Sequence, residues 1–339
     1  MNIFGGKHNI NRLSLATILV ITTVVMSGCA AHSTDREPTT ERGYRQDMRD
    51  FVQGISAYAK RIKPNFIVIP QNGHALLTEN GEETGTPVVA YLEAIDGVGR
   101  EDLFYGYDDD DVATPVSERD RMTSFMDIAE NNGVEVLITD YCSTSSFVDN
   151  SYYQNAAKGY LSFAADHRAL DNIPAYPVNP YNVNASNVAS LTKAKNFLYL
   201  INPDPFPNKD AFLNAVRETN YDVVIIDSFY DGIALTAKEV ASLMIKANGG
   251  ARLVIAYMSI GEAEDYRYYW QNEWKNRPSS WLAEENPDWP GNYKVRYWDP
   301  AWQRIIYGND NSYLRKILDA GFDGVYLDII DAFEYFEDQ

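Results

Sequence analysis

Cysteine is almost absent. The 339 residues include two, Cys29 and Cys142, too few for a zinc finger or an iron–sulfur cluster. With Cys29 acylated, as argued below, no internal disulfide is possible. Histidine is as scarce: His8, His32, His74 and His167 are scattered, and two precede the mature domain. Such scatter does not suit a His-rich metal site, and the acidic run Asp108–Asp111 lacks EF-hand spacing, so neither metal nor cofactor is expected. Basic residues are outnumbered, 29 Lys and Arg against 48 Asp and Glu, for a net charge of −19 and a pI near 4.6. Nucleic-acid phosphates demand Lys and Arg clusters, so no nucleic-acid partner is expected. The balance suits a cationic or neutral substrate. No GxGxxG or Walker-type loop occurs, so nucleotide-binding α/β folds lack their fingerprint.

What is there begins with a targeting segment. Lys7 and Arg12 precede an apolar run from Leu13 to Met26, followed by Ser27-Gly28-Cys29-Ala30. A basic start, a short apolar run and small residues before cleavage make a secretory signal. The run falls short of the ~20 residues of a comfortable membrane span. The Ser-Gly-Cys ending resembles a bacterial lipobox. Residues 1–29 then form a lipoprotein signal peptide ending at Cys29, the lipidated residue. Residues 30–42 are a polar tether, and 43–339 are one domain. The expected location is the bacterial cell envelope, membrane-bound through the N-terminal lipid; Ala30 rather than Asp favours the outer membrane or cell surface. A plain signal peptide cleaved nearby is the alternative.

From residue 43 helix and strand patterns alternate. Met48, Phe51, Val52, Ile55, Tyr58 and Ile62 predict an amphipathic helix over Tyr44–Ile62. Apolar runs predict strands at Phe66–Ile69, Val134–Ile138, Asn196–Ile201, Tyr221–Ile226, Leu253–Tyr257 and Val325–Leu327, with a short one at Ile173–Tyr176. Ala94–Gly99 leads into Arg100–Tyr105. Helices are expected at Pro115–Asn131, Ser151–His167, Lys209–Thr219, Thr236–Asn248 and Asn311–Ala320. About eight apolar strands separated by helices indicate a parallel sheet closed as a (β/α)8 TIM barrel; an open doubly wound sheet is the competitor. The Tyr266–Ala301 segment is long for a βα loop and rich in tryptophan, which suggests a lid. No strand precedes the first helix, and no helix was expected after the Asp328 strand. Packing the Tyr44–Ile62 helix after that strand satisfies both ends, as in a circular permutant.

Polar residues recur where strands end: Gln71 and Asn72, Asp140 and Tyr141, Asp227, Glu262 and Glu264, Asp328 and Asp331. Carboxylates at the C-terminal ends of barrel strands line a catalytic mouth, and a carboxylate-lined cleft suits sugar chemistry. Each has a bland reading too. Asp328 and Asp331 can cap turns or helices, Glu101 can be a solvated loop acid, and Gln71-Asn72 can serve the turn at Gly73. Tyr105 and Tyr257 can orient a carboxylate, stack on a ligand or pack in the core.

Five segments carry a resemblance. Tyr257-Met-Ser-Ile-Gly-Glu-Ala-Glu-Asp-Tyr-Arg-Tyr-Tyr-Trp270, Asn286-Pro-Asp-Trp-Pro-Gly-Asn292, Gly321-Phe-Asp-Gly-Val-Tyr-Leu-Asp-Ile-Ile-Asp331, Ile69-Pro-Gln-Asn-Gly73 and Glu101-Asp-Leu-Phe-Tyr105 resemble glycoside hydrolase family 114, above all its bacterial and archaeal extracellular branch. The last two motifs precede the others here, whereas the family order is the reverse, so the chain resembles a circularly permuted member. The resemblance implies endo-α-1,4-polygalactosaminidase-like hydrolysis of an amino-sugar, galactosamine-containing polysaccharide. It implies Asp328 as nucleophile or base and Glu101 as acid, with Glu262 or Glu264 the rival acid. Asp227, Glu262, Glu264, Gln71, Asn72, Asp140, Tyr141, Tyr257, Tyr105 and Asp331 would contact substrate. Two other classes compete: a catalytically silent glycan-binding lipoprotein with the same cleft, and a phosphate- or metal-dependent barrel hydrolase, which the scarcity of His opposes.

Overall fold

The computed structural model describes residues 42–339. The predicted signal peptide, lipidated Cys29 and the tether up to residue 41 lie outside the described residues. Among the described residues, no helix is long and apolar enough to cross a membrane.

The fold is α/β with a parallel central sheet. Eight strands carry it: β1 (Ile67–Pro70), β2 (Gly97–Glu101), β3 (Glu135–Tyr141), β4 (Leu161–Ala165), β5 (Phe197–Leu200), β6 (Val223–Asp227), β7 (Leu253–Ser259) and β8 (Gly324–Asp328). Among the described residues nine α-helices accompany them: α1 (Tyr44–Ile62), α2 (Val89–Leu92), α3 (Val116–Asn131), α4 (Ser145–Lys158), α5 (Lys209–Arg217), α6 (Ala237–Leu243), α7 (Pro300–Ile306), α8 (Tyr313–Asp319) and α9 (Ala332–Glu337). The strands are apolar on both faces because helices cover one side and packed side chains the other. Ile67–Pro70 and Phe197–Leu200 are buried throughout.

Two parallel sheets result, in the orders β1-β8-β7-β6-β5 and β2-β3-β4. A parallel bridge between Gln71 and Gly99 joins the end of β1 to the middle of β2, and β4 lies against β5. The Tyr199 hydroxyl of β5 donates 2.8 Å to Gln71 Oε1 at the end of β1. Its ring sits 5.0 Å from that of Tyr326 on β8. The two sheets therefore share one interior.

β1 pairs in parallel with β8, Ile67 opposite Gly324 through Pro70 opposite Leu327. Helix α1 covers this seam and packs on α8 and α9. Its Met48, Phe51, Val52 and Ile55 are buried at the predicted spacing, with Asp47 in the first turn and Lys60 and Arg61 in the last, charges that complement the helix dipole. Arg45 pairs with Glu337 at 2.8 Å, and Tyr44 stacks on Phe336 at 5.7 Å.

Several expectations change. The strand after α4 is Leu161–Ala165, within the stretch predicted as helix over Ser151–His167; Ile173–Tyr176 is not a strand. Gly159 adopts φ 85° at the helix end, a left-handed stop that frees Tyr160–Ala165 to extend. The stretch predicted as helix to Asn248 ends at Leu243. A helix does follow β8, the six-residue α9. Two strands of the expected lid, Asn292–Val295 and Leu282–Glu285, join Glu262–Glu264 in a three-stranded antiparallel sheet. Trp274, Trp281 and Trp302 pack on one another at 4.9 Å spacings and are buried, so they form its core. Trp289 is 53% exposed.

One packing constraint bears on the site. Gly99 of β2 faces Tyr326, and a Cβ there would lie 2.0 Å from the Tyr326 hydroxyl. Tyr326 is fully buried and cannot swing away. Gly99→Ala is therefore expected to cost about 1–3 kcal/mol, the usual penalty for overpacking, measured by urea unfolding. An unchanged midpoint would show that the tyrosine does not fill this space.

Candidate active site

Parallel pairing sends every strand's C-terminal end to one side, where Glu101 ends β2, Asp227 ends β6 and Asp328 ends β8. β1 lies between β8 and the edge of β2, so the Gln71-Asn72 turn sits between Asp328 and Glu101. Gln71 N donates to Leu327 O and Asn72 N to Gly99 O, each at 2.8 Å. These bonds fix the turn to both neighbours.

Asp328 is half-buried. Tyr257 Oη donates 2.6 Å to Oδ2, and the Ile329 amide donates 2.8 Å to Oδ1. Burial, followed by the negative charge of Glu101, raises its pKa to about 7 against the stabilising pull of Tyr257. Ile329 itself has φ 57°, a left-handed conformation that a β-branched residue adopts only under strain. Strain of this kind collects at functional sites. Here it turns the Ile329 N–H onto the carboxylate.

Glu101 accepts from Asn72 Nδ2 at 3.0 Å on Oε2 and from the Tyr141 hydroxyl on Oε1. Asn72 also takes a left-handed φ of 60°. Its Oδ1 accepts from the Glu101 amide at 3.3 Å. Neither Asp328 nor Glu101 forms an ion pair with a described cation. Between them Tyr326 is fully buried, and its hydroxyl has no hydrogen-bond partner among the described residues. Burial and then the charges of Glu101 and Asp328 push its pKa well up. It remains a proton donor facing two acids.

The other predicted acids are occupied. Asp227 binds Arg267 through Nη1 at 2.9 Å and Nη2 at 2.8 Å and accepts from the Phe229 amide at 2.8 Å. Glu264 holds the same arginine at 2.6 Å and accepts from Tyr266 at 2.5 Å. Glu262 pairs with Lys294 at 2.7 Å and accepts from Asn286 at 2.8 Å, while its Oε2 is buried without a partner. Asp140 lies inside β3, fully buried. Its oxygens accept from the Phe104 and Tyr105 amides at 2.8 and 3.3 Å, Ser151 at 2.6 Å and Asn155 at 3.1 Å. Burial raises its pKa. Its bonds secure the loop after β2 and leave it nothing to offer a ligand. Tyr105 donates to Asn150 at 2.8 Å and stacks on Phe147. Asp331 begins α9 without bonding its backbone, and burial raises its pKa.

The structure thus gathers Asp328, Glu101, Gln71, Asn72, Tyr141 and Tyr257, and ties Asp140 and Tyr105 into a separate support. Arg267, Tyr199 and Tyr326 were not anticipated. A tyrosine set within an apolar strand, as in Phe197-Leu-Tyr-Leu and Val325-Tyr-Leu-Asp, is the signal that marks the last two. Among the described residues, no group of His, Cys, Asp and Glu is arranged to hold a metal ion.

A carboxyl held protonated by burial taxes the fold once it ionises. The raised Asp328 pKa contributes stability at low pH that is lost as pH rises from about 4 to about 7. Asp328→Asn should raise the urea midpoint at pH 8 and leave it nearly unchanged at pH 3. Equal shifts at both pH values would contradict the raised pKa.

Residues 180–339 match the model of glycoside-hydrolase family GH114. The match includes Asp227, Tyr257, Glu262, Glu264 and Asp328, and excludes Glu101. An uncharacterized protein of Methanocaldococcus jannaschii is 40% identical over 177 residues, 52% of this chain and 49% of its own. One of Deinococcus radiodurans is 46% identical over 123 residues, 36% and 37% of the two chains. One of Thermotoga maritima is 39% identical over 141 residues, 41% and 40%. The chain spans half or less of the length of these relatives. Among solved structures, the crystal structure of Aspergillus fumigatus Ega3 in complex with galactosamine aligns with 34% of this chain and 39% of that one, at 26% identity. Its TM-score of 0.26 is too low to argue from. Over residues 180–339, then, the chain is GH114-like.

Proposed function

We propose that the protein is a glycoside hydrolase that cleaves an amino-sugar polysaccharide with Asp328 and Glu101, at the mouth of a closed and circularly permuted (β/α)8 barrel. The carrying observation is the pair itself. Two strand-end carboxylates flank one turn, each takes a tyrosine hydroxyl bond, and neither is neutralised by a cation. Glycosidases need such a pair, one acid and one base or nucleophile. Closure is supported by the Gln71–Gly99 bridge and the β4–β5 contact. The permutation is supported by α1 filling the place after β8. A polygalactosamine-like substrate follows from the family resemblance and agrees with the net charge of −19. The N-terminal motif supports anchoring in the cell envelope through a lipid on Cys29.

In this mechanism Asp328 attacks, or activates water, as a carboxylate, while Glu101 protonates the leaving oxygen. Tyr257 and the Ile329 amide hold Asp328 in place. Gln71, fixed by Tyr199, presents an amide between the two acids. Asp227 and Glu264, tied together by the one arginine they share, form a rigid wall beside Tyr257.

The test is reducing-end release from partially deacetylated α-1,4-galactosamine polymer. Asp328→Asn and Glu101→Gln should each reduce the rate at least about a hundredfold, the lower range for loss of acid–base catalysis, with the fold retained. A base or nucleophile must ionise, so the rate should climb as pH rises to about 7. A rate that falls through pH 7 would exchange the two roles. Saturable binding without product in the wild type would identify a silent glycan binder instead.

A further inference from the structure

Beside the carboxylate pair, the loops after β1, β2 and β8 and the first turns of α3 enclose a pocket of about 220 Å³. Drug-sized sites start near ~300 Å³, so this one suits a single sugar ring. One part of its wall is Arg100 and Arg121, another Glu118, Asp331 and Glu334.

Arg100 is half-buried, and its partners are neutral. It donates to Met122 Sδ at 2.9 Å, to Asn72 Oδ1 at 3.4 Å and to His74 Nδ1 at 3.3 Å. No described carboxylate lies within ion-pair distance of it. Arg121 reaches Glu83 only at 4.0 Å and lies over the Phe125 ring. His74 stays neutral, because burial and then both arginines lower its pKa well below the ordinary value. Its Nδ1 accepts from Arg100, so the guanidinium bonds only neutral groups, while Asp331 and Glu334 feel its charge from across the pocket. Desolvating a charge without a counter-ion is costly, and a planar guanidinium is built to receive a carboxylate on two N–H groups.

We propose that this pocket is a subsite for a carboxylate-bearing sugar, so that the substrate is a polymer in which a uronic acid accompanies the amino sugar. The inference rests on the glycan-hydrolase reading and narrows its substrate class. The three acids of the facing wall repel a doubly charged phosphate more than a single carboxylate. They also offer places for the ammonium of a neighbouring amino sugar. Asn72 joins the two sites: its Nδ2 holds Glu101 at 3.0 Å while its Oδ1 faces Arg100 at 3.4 Å. An acid seated on Arg100 is therefore one side chain from Glu101.

The experiment titrates the full chain with galacturonate and with its methyl ester, the uncharged counterpart, by calorimetry. The acid should bind about tenfold tighter than the ester, as a charge-assisted pair does. Arg100→Gln should erase the preference. Arg121→Gln, on the exposed side of α3, should at least halve it, which keeps the test decisive if the first variant misfolds. Asp328→Asn should retain the preference. Retained preference with no turnover of amino-sugar polymer by the wild type would fault the hydrolase reading alone. Equal affinities, no binding of either ligand by the wild type, or a preference untouched by both arginine variants would overturn the subsite.

Discussion

The parallel pairing of β1 with β8 is the constraint on which the candidate site depends. It brings the first described strand beside the last and sets the Gln71-Asn72 turn between Asp328 and Glu101. It also creates the seam that α1 covers with Met48, Phe51, Val52 and Ile55. Without this pairing the two acids would stand on separate sheet edges with no shared turn. Parallel ladders need their faces covered, so the helix and the pairing stabilise one another.

Charge accounting separates the acids at the strand ends into two kinds. Asp227 and Glu264 share Arg267, Glu262 has Lys294, and Asp140 is satisfied by four donors. These groups are neutralised or saturated, and they give the wall its shape. Asp328 and Glu101 instead receive tyrosine hydroxyls, weaker partners that leave proton transfer open. Burial without a cation raises the pKa of Asp328 to about 7, a property acid–base chemistry uses.

Much of this was readable in the sequence because it is local. The helical spacing of Tyr44–Ile62 needed no tertiary information, and strand-end acids announce themselves where apolar runs stop. Strand β4 was missed because Tyr160–Ala165 follows a helix without a polar break, and Gly159 is a single-residue signal. The partition of the acids was hidden for a different reason. Arg267 reaches Asp227 across 40 residues of chain, and Tyr257 reaches Asp328 across 71. Sequence spacing carries no trace of such contacts. His74 and Arg100 look unremarkable one by one, and their meaning comes only from sharing a pocket.

The seam between β1 and β8 also has a history. Residues 67–70 are made well before their partners at 324–327. Contacts this distant in sequence form slowly, since a long loop must close first. Until then β1 has an open edge, and the two carboxylates stand apart. The paired acids therefore come together only once the segment that carries Asp328 has found β1.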